Sequence, residues 1–575
     1  MKKVVKLISI ILASMIFVVG CSEGTQSVGK KGEAVKDKSK YINLTMIRPD
    51  TLNPILNTDE SVSYILDLVY DSLFEFDENY NLQPKLVDTY KVSSDNKSVD
   101  ITLKDNIKWH NGKDLTSSDV SYTYSLIKSK KTSAYYNLVS NIKGIEIKDS
   151  KNFKIKFKQS YAFSLETLIF PIVSRSELSG LNNKNLESSA KNLIGCGYYK
   201  VKDYEEKEYM ILEPFEDYYN LNNKANNREI YVKLVPDSES QTQMVLSLDS
   251  DMSKVSLNDI SKFTNKDKFK IEKYQDRDYD YIIFNYGNKY LRNLDIRKAI
   301  TFSIDRKSII KDAYTDRLTM TNFPLNFNSK YYDEDLKPLS YNTNNANNYL
   351  KKAVLSLSNS VTSEEDEKSE EDKSTDNKNK QDEKKENTKD NEQENTKKEE
   401  ESSKKEITRT FKDVTKEEVK ELLDDMKFEI IVNKNNTQRV KAANLISNNL
   451  EAVGIKTTIK DLTDEQMKDA LNRGEYDLAL IGCVLPSVSD ATYVINHLGY
   501  TDEKLSKYEN ALKRASSEKA IKNAYADLQK YVKDNALFIS LGILDSYVVL
   551  NERVEGDLFS NEFNVYRGIS SLKLD

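Results

Sequence analysis

The sequence predicts an α/β protein of layered strands and helices. Short apolar strands alternate with amphipathic helices along most of the chain, and a complete strand–helix–strand unit lies between Phe428 and Ile459. One long charged tract interrupts this pattern. The 575 residues are enough for two to four domains at about 150 residues each, or for one multi-lobed fold. Charged residues make up 31% and apolar ones 38%, a low apolar share that points to a sizeable segment outside any core.

The elements follow in chain order. Lys2, Lys3 and Lys6 precede an apolar run from Leu7 to Val19, which is too short to span a bilayer comfortably and has the basic flank of an export signal. Val18, Gly20 and Cys21 close it in the manner a lipoprotein peptidase requires. Residues 1–20 are therefore the expected signal peptide and Cys21 the expected lipidated thiol, with an ordinary signal or an uncleaved anchor as the alternatives. Two acyl chains on one thiol anchor stably, since each buried methylene contributes about 0.8 kcal/mol. Residues 21–40 are rich in Gly, Ser, Lys and Glu and read as a flexible tether. The body is thus expected on the extracellular face of the cell membrane, lipid-anchored, with no later apolar run of spanning length.

Val62, Leu66, Val69 and Leu73 recur at helical spacing and predict a helix from Val62 to Leu73. Val99, Ile101 and Leu103 alternate, as do Phe153, Ile155 and Phe157, and both sets predict half-buried strands. Residues 364–406 carry 18 acidic and 11 basic side chains and no aromatic one, so they cannot bury enough surface to offset their chain entropy. They are expected to form a disordered or fraying helical insert. Its role is a spacer or a wall-binding arm, or it is a surface-loop insertion tolerated because long loops add little closure entropy. Phe428–Val432 predicts a strand, and Val440, Ala443, Ile446, Leu450 and Val453 a helix. Gly454 is that helix's C-cap, and Ile455–Ile459 and Tyr476–Ile481 are further strands. Leu512, Ala515, Ala524, Leu528 and Tyr531 predict helix near the C-terminus.

Composition excludes several functions. Two histidines, His110 and His497, leave no multi-histidine metal site, and three cysteines make neither a disulfide framework nor a four-cysteine zinc site. A formal charge of −6 gives no general attraction to nucleic acid. No Gly-x-Ser-x-Gly elbow or His-Glu-x-x-His run appears, so no enzyme, catalytic residue, cofactor or resident metal is expected.

A set of motifs resembles a known family. Thr51-Leu-Asn-Pro54, Tyr70-Asp-Ser-Leu73, Ile107-Lys-Trp-His-Asn-Gly-Lys113 and Ser118-Asp-Val120 come first. Gly195-Cys-Gly-Tyr-Tyr199, Asp295-Ile-Arg-Lys-Ala-Ile300, Ser303-Ile-Asp-Arg306 and Glu475-Tyr-Asp-Leu-Ala-Leu480 follow. In order and spacing they resemble extracellular solute-binding proteins of the oligopeptide/dipeptide/nickel class, over about residues 42–350 and 408–560. The resemblance implies a two-lobed, three-domain α/β fold of the large periplasmic-binding-protein type, closing by a hinge around its ligand and serving an ATP-driven importer. It implies a first lobe from residues 41–65, 190–285 and 542–575, and an accessory domain of that lobe at 66–189. The second lobe spans 286–363 and 407–541, with crossings near Asn285 and Gly542.

The same resemblance implies a monomeric receptor for a small solute, most simply an oligopeptide held extended between main-chain groups. It places one such segment at Thr58, Asp59 and Glu60, and the other at Gly482, Cys483 and Val484. Asp59 and Glu60 read equally as acids at a helix N-terminus. Asp490 stands late for the aspartate that meets a peptide's ammonium; it does that after a loop shift or caps a helix beginning at Ala491, the cap being preferred. Arg439 is a candidate for a ligand carboxylate, against a preferred reading as a solvent-facing helix residue. Trp109 reads as packing, and His110 as a surface turn residue. Cys196 and Cys483 are either a disulfide or two small buried hydrophobes. The alternatives to a peptide are a nickel chelate, which the shortage of histidine disfavours, and an oligosaccharide, which a single tryptophan disfavours. A sensory surface lipoprotein using the charged arm is a further alternative.

Overall fold

The computed structural model describes residues 40–182, 185–186, 193–221, 224–225, 228–358 and 409–574. The expected signal peptide, the tether, Cys21 and the charged insert at 364–406 lie outside the described residues.

Two long strands, Phe269–Phe284 and Phe538–Asn551, run antiparallel through a seven-stranded sheet. Toward one end Phe538–Asn551 is flanked by Met252–Val255, and toward the other by Leu318–Met320. On the far side of Phe269–Phe284 lie Leu478–Val484, Lys427–Asn433 and Lys456–Leu462, in that order. The register between the two long strands jumps: Gln275 faces Asp545, but Tyr279 faces Ile543. Asp276, Arg277 and Asp278 therefore bulge opposite Leu544 alone. Such bulges re-aim side chains and bend a strand. This break falls several residues ahead of Asn285, where the resemblance put the first crossing.

One end of these strands joins the first lobe. There Tyr41–Ile47 pairs in parallel with Glu229–Val235, which continues antiparallel to Tyr209–Pro214 and Tyr199–Glu205. A second four-stranded sheet, Val87–Val92, Ser98–Leu103, Asn152–Phe157 and Ile142–Ile147, is antiparallel throughout. Its alternating Val99, Ile101, Phe153 and Ile155 enter the same apolar core as Ile42, Leu44 and Val232. At the other end the large sheet is covered on both faces. Ile282, Phe284, Ile430 and Val432 pack on one side with Ile300, Ile446 and Leu450. Tyr281, Ile283, Ile431 and Ala479 pack on the other with Tyr525 and Leu528. Alternate residues of each strand thus serve opposite faces, as a two-residue period requires.

Several local expectations change. The helix expected from Val62 to Leu73 stops at Leu66. Val69 and Leu73 are fully buried, so their spacing reports burial rather than helix. Beyond Leu66 the chain turns to hydrogen-bond a neighbour: the N–H groups of Gly197 and Tyr199 donate to the carbonyls of Val69 and Leu68 at 2.8 and 3.0 Å. A Cβ at Gly195 would stand 1.8 Å from the Val69 oxygen, so the glycines are what allow this approach. His110 pins the same turn and is not a surface residue. The Gly195 N–H donates to its Nδ1 at 3.2 Å, so Nε2 carries the proton and donates to the Gly197 carbonyl at 3.0 Å. Burial pushes its pKa down to about 4. Trp109 is in the core, as its packing reading had it. The C-terminal helical pattern is divided into Glu503–Arg514 and Glu518–Asp534, because Ser517 caps the second helix by accepting the Ala520 N–H. Cys196 and Cys483 are both unbonded thiols, which removes the disulfide alternative.

Candidate functional site

Three adjoining cavities meet at the register break between the two long strands. One of about 490 Å³ is lined by Thr58, Asp59, Glu60, Lys254, Asp276 and Asp278, among others. A second, of about 360 Å³, shares Thr58, Glu60 and Tyr64 with it and adds Asp67, Glu75, Lys85, Arg277, Glu562 and Phe563. A small third one, of about 40 Å³, meets the second at Phe76, Arg277, Ser487 and Phe563, and the first at Asp276. The bulge between Gln275 and Tyr279 thus puts Asp276 and Arg277 at the junction of all three.

On the first-lobe wall, charge is dense and internally paired. Lys254 stands 3.3 Å from Glu60, 3.3 Å from Glu562 and 3.7 Å from Asp276, under the Tyr64 ring. Lys85 lies 3.0 Å from both Asp71 and Glu75, and the Tyr218 and Tyr219 hydroxyls donate to the second Asp71 oxygen. Burial pushes Glu562 up to about 8 and Asp67 up to about 7, in each case against the opposing pull of a nearby lysine.

From the second lobe the small cavity is lined by Leu485 to Ala491, the segment that follows the strand Leu478–Val484. All seven residues of Leu478–Val484 pair with Phe269–Phe284 on one edge. On the other edge only Leu478, Ala479 and Leu480 pair with Lys427–Asn433. From Ile481 to Val484 that edge has no strand neighbour among the described residues, and Val484 is 55% exposed.

The structure places the other expected site residues as follows. Thr58 and Asp59 line the cleft without joining a strand; Asp59 caps the helix that Glu60 opens, accepting the Val62 N–H at 3.1 Å. Cys483 is half-buried on the pairing strand, and burial pushes its thiol up to about 11. Arg439 is neither turned to solvent nor open to a ligand. Its Nε and Nη2 donate to one Asp280 oxygen at 3.0 and 2.7 Å, while the Tyr314 hydroxyl donates to the other at 2.6 Å. This pair lies over Gly482, where a Cβ would come within 1.8 Å of Arg439 Nη2, so glycine is obligatory there. Asp490 is spent too: Oδ1 accepts from the Thr492 N–H and hydroxyl, at the start of a short helix Thr492–Ile495, and Oδ2 accepts from the Tyr161 hydroxyl at 2.9 Å.

That last contact belongs to a feature sequence reasoning missed. Residues near Tyr161 and Phe163, from the accessory region, dock on the second lobe, with Phe163 in its core and the Glu166 carboxylate accepting the Ser489 N–H. Burial holds Glu166 up at about 7. Arg277 was also missed. It lies in a polar stretch of alternating Asp and Tyr, and only the register shift reveals it.

The model of the bacterial extracellular solute-binding proteins, family 5 (middle), matches residues 81–504. The oligopeptide-binding protein AppA of Bacillus subtilis is 26% identical over 370 residues, 61% of this chain and 66% of that protein. The nickel-binding protein NikA of Staphylococcus aureus is 26% identical over 265 residues, 46% of this chain and 52% of that one. The match thus spans between half and two thirds of these relatives' own length. Among solved structures, the ABC transporter substrate-binding protein CtaP of Listeria monocytogenes superposes with a TM-score of 0.70 at 19% identity, over 94% of this chain and all of that one. The two-lobed α/β fold expected from the motifs is therefore the observed one.

Proposed function

The chain belongs to the bacterial extracellular solute-binding proteins of family 5, and from that membership we propose that it is the receptor of an ABC importer that captures a short peptide between its lobes. The family is one of binding proteins, not of enzymes. The observation that supports the peptide reading is the unpartnered edge of Ile481–Val484 on the strand that leads into Leu485, Pro486 and Ser487, which line the cleft cavities. An extended peptide adds to such an edge as a strand, and its main-chain hydrogen bonds give affinity without demanding a sequence. In this reading Gly482, Cys483 and Val484 supply backbone from the second lobe, and Thr58, Asp59 and Glu60, which line a cavity, supply it from the first. Closure pivots at the Asp276–Asp278 bulge, since contacts to both walls exist together only when the lobes meet.

A nickel chelate is the competing ligand, because a nickel-binding protein is among the relatives. The cleft favours the peptide: neither histidine lines these cavities, and the only tryptophan is in the core. Among the described residues no helix is long and apolar enough to cross a membrane. We place the anchor at Cys21, through lipid, with the receptor acting as a monomer beside its permease.

Native mass spectrometry of the purified protein, with extraction and sequencing of what it carries, tests the reading. Co-purified peptides in a narrow length range are the expected result. An empty protein whose melting temperature ignores a mixed peptide pool but rises with a nickel–histidine complex sinks it. An empty protein that responds to neither points to a sensory surface role.

A further inference from the structure

One connection between the lobes is not made by the two long strands. The segment that follows Asn152–Phe157 leaves the first lobe and comes back to it. Phe157 and Leu168 lie in the first-lobe core, yet Phe163 between them is 1% exposed in the core of the second. Its ring lies 6.2 Å from those of Tyr331 and Tyr525. Hydrogen bonds flank it on both sides. The Ala162 N–H donates to the Lys513 carbonyl at 2.9 Å, the Tyr161 hydroxyl donates to Asp490, and the Glu166 carboxylate accepts the Ser489 N–H. A second loop of the accessory region joins in, since Asn96 Nδ2 donates to the Ala515 carbonyl at 2.8 Å.

The docking site is part of the cleft. Ser489, Asp490 and Ala491 line the small cavity at the bulge. Tyr525, which meets Phe163, donates its hydroxyl to the Ser489 carbonyl and accepts the Ala491 N–H at 3.1 Å. The same stretch of chain therefore lines the cavity and holds the docked segment.

We propose that Tyr161–Glu166 is a strap that fastens the closed lobes, and that it has to undock before the cleft can open. This rests on the hinge closure proposed above. Both ends of the strap are fixed in the first lobe, so the lobes cannot part at this edge while Phe163 is docked. Undocking is nevertheless within reach. Burying one phenylalanine ring favours the docked state by about tenfold to a hundredfold. The hydrogen bonds add little, because water replaces them on release. A ligand that bridges the two walls adds to the same balance, so the strap sets how much of the free protein stands open.

The test is hydrogen exchange on the full chain without ligand. The Ala162 and Ser489 amides both donate across the lobe boundary, so they exchange whenever the strap releases. Val432, inside the second-lobe sheet between Lys456–Leu462 and Leu478–Val484, opens only with the fold. In the native protein the two strap amides are expected to be protected at least about tenfold less than Val432. Phe163→Ala should lower their protection by about tenfold more, leave Val432 unchanged, and enlarge the radius of gyration in small-angle scattering. Phe163→Leu, which keeps an apolar anchor, should stay near the native values. Native protection at Ala162 and Ser489 equal to that at Val432 makes the segment a fixed part of the second lobe and overturns the proposal. An unchanged radius of gyration in a Phe163→Ala protein whose strap amides have lost protection also overturns it, because the strap then releases with the lobes still shut. Tyr161→Phe loses only the hydroxyl bond to Asp490 and should lower protection at both amides severalfold. It keeps the test open if Phe163→Ala does not fold, and unchanged protection in it counts against the strap. The receptor reading is judged by peptide or nickel binding and not by exchange, so each can fail without the other.

Discussion

The two walls of the cleft are built from different chemistry. The first lobe presents ionisable side chains already paired with one another, such as Lys254 with Glu60 and Glu562, and Lys85 with Asp71 and Glu75. The second lobe presents Leu485 to Ala491, whose one charged side chain, Asp490, is already hydrogen-bonded, beyond a strand edge, Ile481 to Val484, that has no strand neighbour among the described residues. A wall of backbone is indifferent to ligand side chains, whereas a wall of ionisable groups is sensitive to charge. The difference teaches that affinity and selectivity can be assigned to separate lobes, and each assignment can be broken.

The largest expected effect is at the second-lobe wall. In Gly482→Ala the new methyl meets Arg439 Nη2 at 1.8 Å and Asp280 Oδ1 at 2.4 Å, and the pair has to part. Asp280 is fully buried, so separating it from its cation costs about 3 kcal/mol. Urea denaturation of Gly482→Ala should show that loss, and an unchanged midpoint would mean that the pair can move aside. By contrast, Cys483→Ala and Val484→Ala should bind peptides within about threefold of the native protein if this wall works through backbone.

The next effect lies with the buried acids of the first lobe and its accessory arm. Asp67 and Glu166 are held up at about 7 and Glu562 at about 8, all by burial. A carboxyl raised in the folded state keeps its proton after the unfolded chain has released it. Its contribution to stability is therefore full below the ordinary carboxyl range and is lost as pH rises toward the folded value. His110, held down at about 4, works in the opposite direction, but only between that value and its ordinary 6.5. The melting temperature should thus fall from pH 6.5 to 8 and level off above. Glu166→Gln should recover part of the fall, on the order of 1 kcal/mol. A melting temperature that rises over that interval would show these acids to be ionised in the native protein.

How much of this was legible in the sequence differs between the same two regions. The second lobe repeats strand, helix and strand with clean alternation, and Phe428–Val432, the following helix and Ile455–Ile459 lie in or within a few residues of their expected positions. The first-lobe turn was misread, because Val69 and Leu73 are buried at helical spacing by a turn that serves the Gly195–Tyr199 segment. The site was less legible still. Arg439 drew attention as a helix arginine near the cleft, yet its partner Asp280 is 159 residues away, and no local pattern announces the pair. Arg277 stayed hidden because a bulge depends on the register between two strands more than 250 residues apart.

The smallest expected effect concerns the charged tract at 364–406, which belongs to neither wall. The helix at 343–358 precedes the undescribed stretch. After it, Thr410 and Asp413 cap a short turn that leads into Lys416–Asp425. None of the cleft cavities draws a lining residue from these flanks. Shortening a loop changes its closure entropy only as the logarithm of its length, about 0.6 kcal/mol for each halving. Deleting residues 364–406 should therefore leave the urea midpoint nearly unmoved and peptide affinity within about twofold. If affinity falls while stability holds, the tract reaches the ligand, and selectivity has a third contributor besides the two lobes.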